Sequence, residues 1–211
     1  MNTNICFALA LISSIASGPS HPLMTRITVR YHTPDLSEDA RGARPKTLYL
    51  AGDRYARIEQ PADSTSEIMN LLIVNEPHIW VIDGTNKTGN HSTNPGPDFS
   101  VHNPILGPDC PEELFDFEFG HEVDFLKQTG AKSLGSKRIG ERECETKQFA
   151  AVNYLVNVSV DAKKNVPIEL KAFKDGKMQF TVEYLSYETD LPFDSSLFDP
   201  PKDVHLSEAN R

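Results

Sequence analysis

The residues with the widest chemical scope in this chain are its cysteines, its histidines and a run of carboxylates. The sequence holds three cysteines: Cys6, Cys110 and Cys144. Cys6 falls inside an apolar run at the N-terminus. Cys110 and Cys144 remain, and an even count in an oxidising compartment permits one disulfide. Such a bridge would close a loop of about 35 residues and contribute on the order of 3–4 kcal/mol; two separate thiols satisfy the sequence equally well. There is no C-x-x-C and no histidine pair at i, i+4, so the zinc spacings are missing. His91, Asp98, His102 and Asp109 share one polar stretch, but scattered ligands of this kind read as solvated surface, and no metal is assigned. The acidic residues of 112–124 could supply a carboxylate pair for acid–base work; on a short amphipathic helix their spacing reads instead as a wet outer face. Nucleophile-elbow, phosphate-loop and zinc-protease motifs are absent. The expectation is a binding protein, not an enzyme, with no cofactor.

Composition narrows the partners. The chain has 211 residues, 38 % of them hydrophobic, with a net charge of −9. That suits one domain with one core. A phosphate backbone needs a basic footprint, so the acidic balance argues against DNA or RNA. Residues 1–20 carry no charged side chain. Residues 5–12 (ICFALALI) are apolar, too few to span a bilayer, and small residues follow at 13–18. This reads as a signal peptide over 1–18, with a single β domain over 19–211. The mature chain is then periplasmic or secreted and is not an integral membrane protein. Asn86, Asn90 and Asn157 match the N-glycosylation pattern, which matters only in a eukaryotic secretory pathway.

The elements that must position any site are mostly strands. From residue 23 the dominant period is two, with Leu23, Ile27, Val29 and Tyr31 on one face and Met24, Arg26, Thr28 and Arg30 on the other. Residues 47–51 and 55–60 flank Gly52-Asp53, and 69–74 and 78–82 flank Asn75-Glu76-Pro77; both read as hairpins. Within residues 83–111, the stretch 84–97 is nearly all turn formers, and the whole reads as a long loop that can hold a short edge strand. Residues 112–130 form the best helical stretch, with Phe115, Phe119, Val123 and Leu126 as its stripe and Gly130 as its stop, although Gly120 weakens the first half. Strands return after Gly135. Val152, Tyr154, Val156, Val158 and Val160 alternate with polar residues, and Asp175-Gly176 marks a tight hairpin before Met178, Phe180, Val182 and Tyr184. The fold class is mainly β: a curved antiparallel half-open barrel of about nine to eleven strands, with one to three helices as a lid.

The concave face of such a sheet can be hollow or filled. If hollow, the candidate lining for an apolar ligand is Val152, Tyr154, Val156, Val158, Met178, Phe180, Val182 and Tyr184. Trp80, Phe115, Phe119 and Phe125 would close it. If filled, the same residues are core.

The order of these elements resembles the LolA-like superfamily, which includes lipoprotein carriers and related lipid-binding and sensor domains. The resemblance rests on the Trp hairpin IVNEPHIWVIDGTNKTG (73–89), the three-strand run at 153–188 and the closing LPFDSSLFDPPKDV (191–204), and covers 23–204 in outline. It implies a half-open barrel with helices as a lid, an apolar cavity for acyl chains or apolar peptide, a bacterial periplasm and no cofactor. The expected function is binding, and as a lipoprotein carrier transport, of lipid or lipoprotein acyl chains on the concave face. The alternative is a non-catalytic envelope protein-interaction or stress-sensing module with a filled core.

Overall fold

The computed structural model describes residues 22–34, 43–61, 70–94 and 100–208. The expected signal peptide at 1–18 and Asp98 lie outside the described residues.

Among the described residues twelve strands form one sheet. The first six are β1 (Met24–His32), β2 (Lys46–Ala51), β3 (Tyr55–Glu59), β4 (Leu71–Asn75), β5 (His78–Asp83) and β6 (Thr88–Thr93). After one helix, α1 (Glu122–Gln128), come β7 (Lys132–Ile139), β8 (Arg142–Ala151), β9 (Tyr154–Asp161), β10 (Pro167–Lys174), β11 (Lys177–Leu191) and β12 (His205–Glu208). The spatial order is β12-β6-β5-β4-β3-β2-β1-β11-β10-β9-β8-β7. The chain meanders from β1 out to β6, crosses to the far end at β7 and meanders back until β11 pairs with β1. Because β6 and β7 sit near opposite ends, the connection between them must cross the sheet, and it brings α1 onto one face. The architecture is the expected curved, half-open antiparallel barrel. The strand beyond the expected nine to eleven is β12, which follows the turn-rich tail.

Local sequence explains most of the joints. Asp175 and Gly176 have φ of 52° and 73°, the pair of positive values that a type I′ hairpin needs. The stretch 112–130 is not one helix: it holds a 3-10 turn at Glu112–Leu114 and α1. Gly120 between them has φ of 92°, a left-handed conformation that interrupts the helix and is natural only to glycine. Gly130, at φ 64°, follows the end of α1 as expected.

Two places depart from the expected alternation. Val152 is not on a strand. It opens the two-residue connection between β8 and β9, with φ of 51° and 87 % of its surface exposed. A β-branched residue is strained there, so Val152→Gly should raise the unfolding free energy by about 1 kcal/mol, read from denaturant midpoints. Further on, a register shift between Ala172 and Phe173 pairs Met178 with Phe173 but Phe180 with Ala172. The extra residue turns Met178 to the opposite face from Phe180 and leaves it 46 % exposed.

The sheet is apolar on both sides. One cluster, on the face that α1 covers, joins Ile27, Val29, Val156, Val158, Leu170 and Val182 to Leu114, Phe117, Phe119, Phe125 and Leu126. We call this the inner face. A second cluster on the outer face joins Met24, Ala51, Ile73, Trp80 and Ile82 to Phe198, with Phe193 and Leu197 against it. Met24, expected on a wet face, is buried because the segment after β11 covers that side as well.

Candidate functional site

The half of the inner face built from β1 and β8–β11 is filled by the chain itself. Phe117 is fully buried, 5.0 Å from the Phe125 ring, and Phe125 meets Phe149 edge-on at 5.2 Å. Tyr31 lies edge-on to Phe119 and 5.4 Å from Phe180. The segment 101–130 therefore occupies the volume where the sequence allowed a cavity.

One buried polar group pins this plug. Glu122, at the start of α1, is wholly buried. Its carboxylate accepts from the Tyr184 hydroxyl at 2.9 Å, the Tyr187 hydroxyl at 3.1 Å and the Gly120 N–H at 3.0 Å. Burial pushes the carboxyl up to about 7; hydrogen bonds from its own and the Gly120 backbone and from both tyrosines work against that rise. Burial first, and then the nearby Glu122 charge, pushes the Tyr184 and Tyr187 hydroxyls upward. Glu122 was expected on a solvated outer face. Its spacing carried the opposite signal: it lies three residues after Phe119 and four before Leu126, inside the apolar stripe.

The other half of the inner face is less covered. Register places Ile58 beside Leu72, Leu72 beside Val81, and Val74 beside Ile79. These side chains share the face of Leu48, which pairs with Ile58. Ile58, Leu72 and Ile79 are partly exposed and Val81 is 37 % exposed. They form an aliphatic strip with a shallow groove of about 200 Å³, rimmed by Lys46, Gln60 and Asn70. The runs 71–74 (LLIV) and 79–82 (IWVI) are apolar at every position, so the sequence does not say which face stays uncovered.

The residues expected to line a ligand site are spread over both faces. Val156, Val182, Tyr184 and Phe119 are buried in the inner cluster, with Tyr154 and Phe180 partly buried against it. Trp80 lies on the outer face under the C-terminal segment, because it pairs with Ile73 in the second cluster. Phe115 is 52 % exposed just after the 3-10 turn, and Val152 and Met178 are exposed for the reasons given above. The expected set is thus core on the inner face, with four members elsewhere.

Cys110 and Cys144 are both free. Cys110 belongs to the inner cluster, whereas Cys144 pairs with Asp161, one residue out of phase with the inward Val158 and Val160. The sheet stands between the two thiols, so the permitted disulfide does not form. Burial raises both thiols above their ordinary values, which favours the protonated form.

Polar clusters elsewhere are self-satisfied. A groove of about 600 Å³ on the outer face has Glu169 and Glu183 on its floor, directly opposed in register. Lys137 and Lys171 pair with Glu169, and Arg30 and His32 with Glu183. His102 Nδ1 is 2.5 Å from buried Glu118, whose second oxygen accepts from the Asn103 N–H. No group of three or more His, Cys, Asp or Glu side chains converges to hold a metal among the described residues.

The sheet is open, plugged on one half of its inner face and aliphatic on the other. It has the half-open antiparallel architecture that the sequence resemblance implied. No family model matches the chain, and a search of curated proteins returns no match. Solved structures do share the fold. An uncharacterized conserved protein from Thermus thermophilus superposes with a TM-score of 0.52 over 88 % of this chain and 90 % of its own, at 11 % identity. The MucA/MucB complex of Pseudomonas aeruginosa gives 0.46 over 86 % of this chain and 56 % of that chain, at 8 % identity. A LolA superfamily protein from Nitrosomonas europaea gives 0.34 over 87 % and 92 %, at 10 % identity. At these identities the likeness is one of fold alone. No helix among the described residues is long and apolar enough to cross a membrane.

Proposed function

We propose that this protein is an exported, non-catalytic binding module of the bacterial envelope that holds an extended aliphatic segment of a partner protein on the strip Ile58, Leu72, Ile79 and Val81. The observation that carries this reading is the filled inner face. A carrier that encloses acyl chains needs a cavity, and sites that enclose a small ligand usually span about 300–1,000 Å³. Here Phe117, Phe119 and Phe125 occupy that volume, and the aliphatic groove beside them holds about 200 Å³. A shallow aliphatic strip can contact alternate side chains of a strand laid across it. The charged groups around Glu169 and Glu183 are paired with one another.

A photo-crosslinking residue placed at Val81 in the native host tests this. Mass analysis should identify a polypeptide adduct that is absent when the probe sits at Leu134, exposed on edge strand β7. Adding Leu72→Glu to the Val81 probe chain should reduce that adduct at least tenfold. Lipid adducts at position 81, or acyl lipid co-purifying in native mass spectra, would return the protein to the carriers.

A further inference from the structure

The C-terminal strand makes an asymmetric contact with the sheet edge. β12 pairs with β6 in the only parallel ladder among the described strands, and parallel pairing is the weaker kind per residue. All four of its residues are exposed, and none belongs to either core cluster. Besides the backbone ladder, its hold consists of surface contacts: the His205 N–H on the Lys87 carbonyl at 2.8 Å, Asp203 with Lys87 at 3.2 Å, the Ser207 hydroxyl on Asn90 Oδ1 at 2.9 Å and near the Gly89 carbonyl at 3.3 Å, and Glu208 with His91 at 2.8 Å. Contacts of this kind are individually weak.

The β6 side of the same contact is packed against β5. His91 Nε2 is held by His78 Nδ1 at 3.0 Å, and both rings stack on Trp80, at 5.3 and 5.4 Å. That leaves His91 Nδ1 aimed outward, 2.8 Å from Glu208 Oε1. Two residues earlier, a β-carbon on Gly89 would stand 2.9 Å from the Val81 carbonyl oxygen, 3.0 Å from Ile82 and 3.1 Å from the Leu206 side chain, so the glycine serves β5 and Leu206 together. Two recognition points on the β6 edge thus meet a loosely held strand.

We propose that the β6 edge is a docking site for an extended acidic peptide of a partner protein, with an aliphatic side chain at Gly89 and a carboxylate two residues on at His91. β12, with Leu206 and Glu208 in those places, is its built-in occupant. Strand addition supplies backbone hydrogen bonds, and the two side-chain positions supply selectivity. This surface is separate from the aliphatic strip of the inner face and stands without it.

The test uses the full chain carrying His205→Pro and Glu208→Lys, which removes the N–H bonded to Lys87 and the carboxylate on His91. Both residues are exposed, so far-UV circular dichroism should be unchanged. A fluorescent peptide of the sequence KDVHLSE should bind the variant at least tenfold more tightly than it binds the unaltered protein, where β12 competes. The same peptide ending in lysine should bind at least tenfold more weakly. Absence of peptide binding at millimolar concentration, or equal binding of the lysine peptide, overturns the proposal. An independent reading needs no variant: in the unaltered protein the His205 amide should exchange its hydrogen at least a hundredfold faster than the amides of β5. Exchange as slow as that of β5 would show a permanent strand and also overturn it.

Discussion

Phe117→Ala should lower the unfolding free energy by about 3–5 kcal/mol, the cost of a large cavity in a packed core. Phe117 is fully buried and its ring meets Phe125, so little around it can collapse inward without moving α1. The cavity would be lined by aliphatic and aromatic groups and should stay dry. The second expected result is a gain of binding. The unaltered protein should take up no medium-chain fatty acid, whereas the variant should bind one, visible as a mass increment under native conditions. Urea unfolding checks the first outcome. If the unaltered protein already binds the fatty acid, the plug does not close the inner face.

Glu122 sets the pH dependence of stability. Its carboxyl stands at about 7 in the folded protein against an ordinary 4.5. A group raised on folding favours the fold most below its unfolded value, and that contribution is lost as pH rises through the folded value. The loss therefore runs from about pH 4.5 to about pH 7 and amounts to about 3 kcal/mol. Glu122→Gln carries no charge and keeps an oxygen for one donor, so it should flatten the stability profile across that window. Urea midpoints measured at pH 5 and pH 8 should differ clearly in the unaltered protein and little in the variant. Glu122→Ala should destabilise at both values, because it leaves the Tyr184 and Tyr187 hydroxyls and the Gly120 N–H without their acceptor.

Strand pattern carried well from sequence to structure because it is local. The alternation of Ile27 and Val29, of Val156, Val158 and Val160, and of Phe180, Val182 and Tyr184 reports which side chains point together. Asp175-Gly176 reports a turn through its own backbone preference. What covers each face is decided by residues far away in sequence. Trp80 looks the same whether it faces a ligand groove or, as here, Phe198 more than a hundred residues later. Phe117 and Phe115 differ in burial because Gly120 interrupts the helix that would have pointed Phe115 inward. The same distance effect separates Cys110 from Cys144: counting thiols cannot reveal that a sheet lies between them. Glu122 was legible in principle from its place within an apolar stripe, but a carboxylate there makes sense only once two tyrosines from β11 arrive. β12 was not legible, since four exposed residues have no core pattern to follow.

The pairing of β1 with β11 also dictates when this protein can fold. Arg26 and Glu188, bonded across that ladder, are 162 positions apart. At synthesis rates of about 5–20 residues per second, β1 waits about 8–30 seconds for its neighbour. During that time Ile27 and Val29 lack the strand that completes their face, and the inner core cannot close. The same delay exposes an unpaired strand edge, so folding yield should depend on whatever shields β1 until β11 emerges.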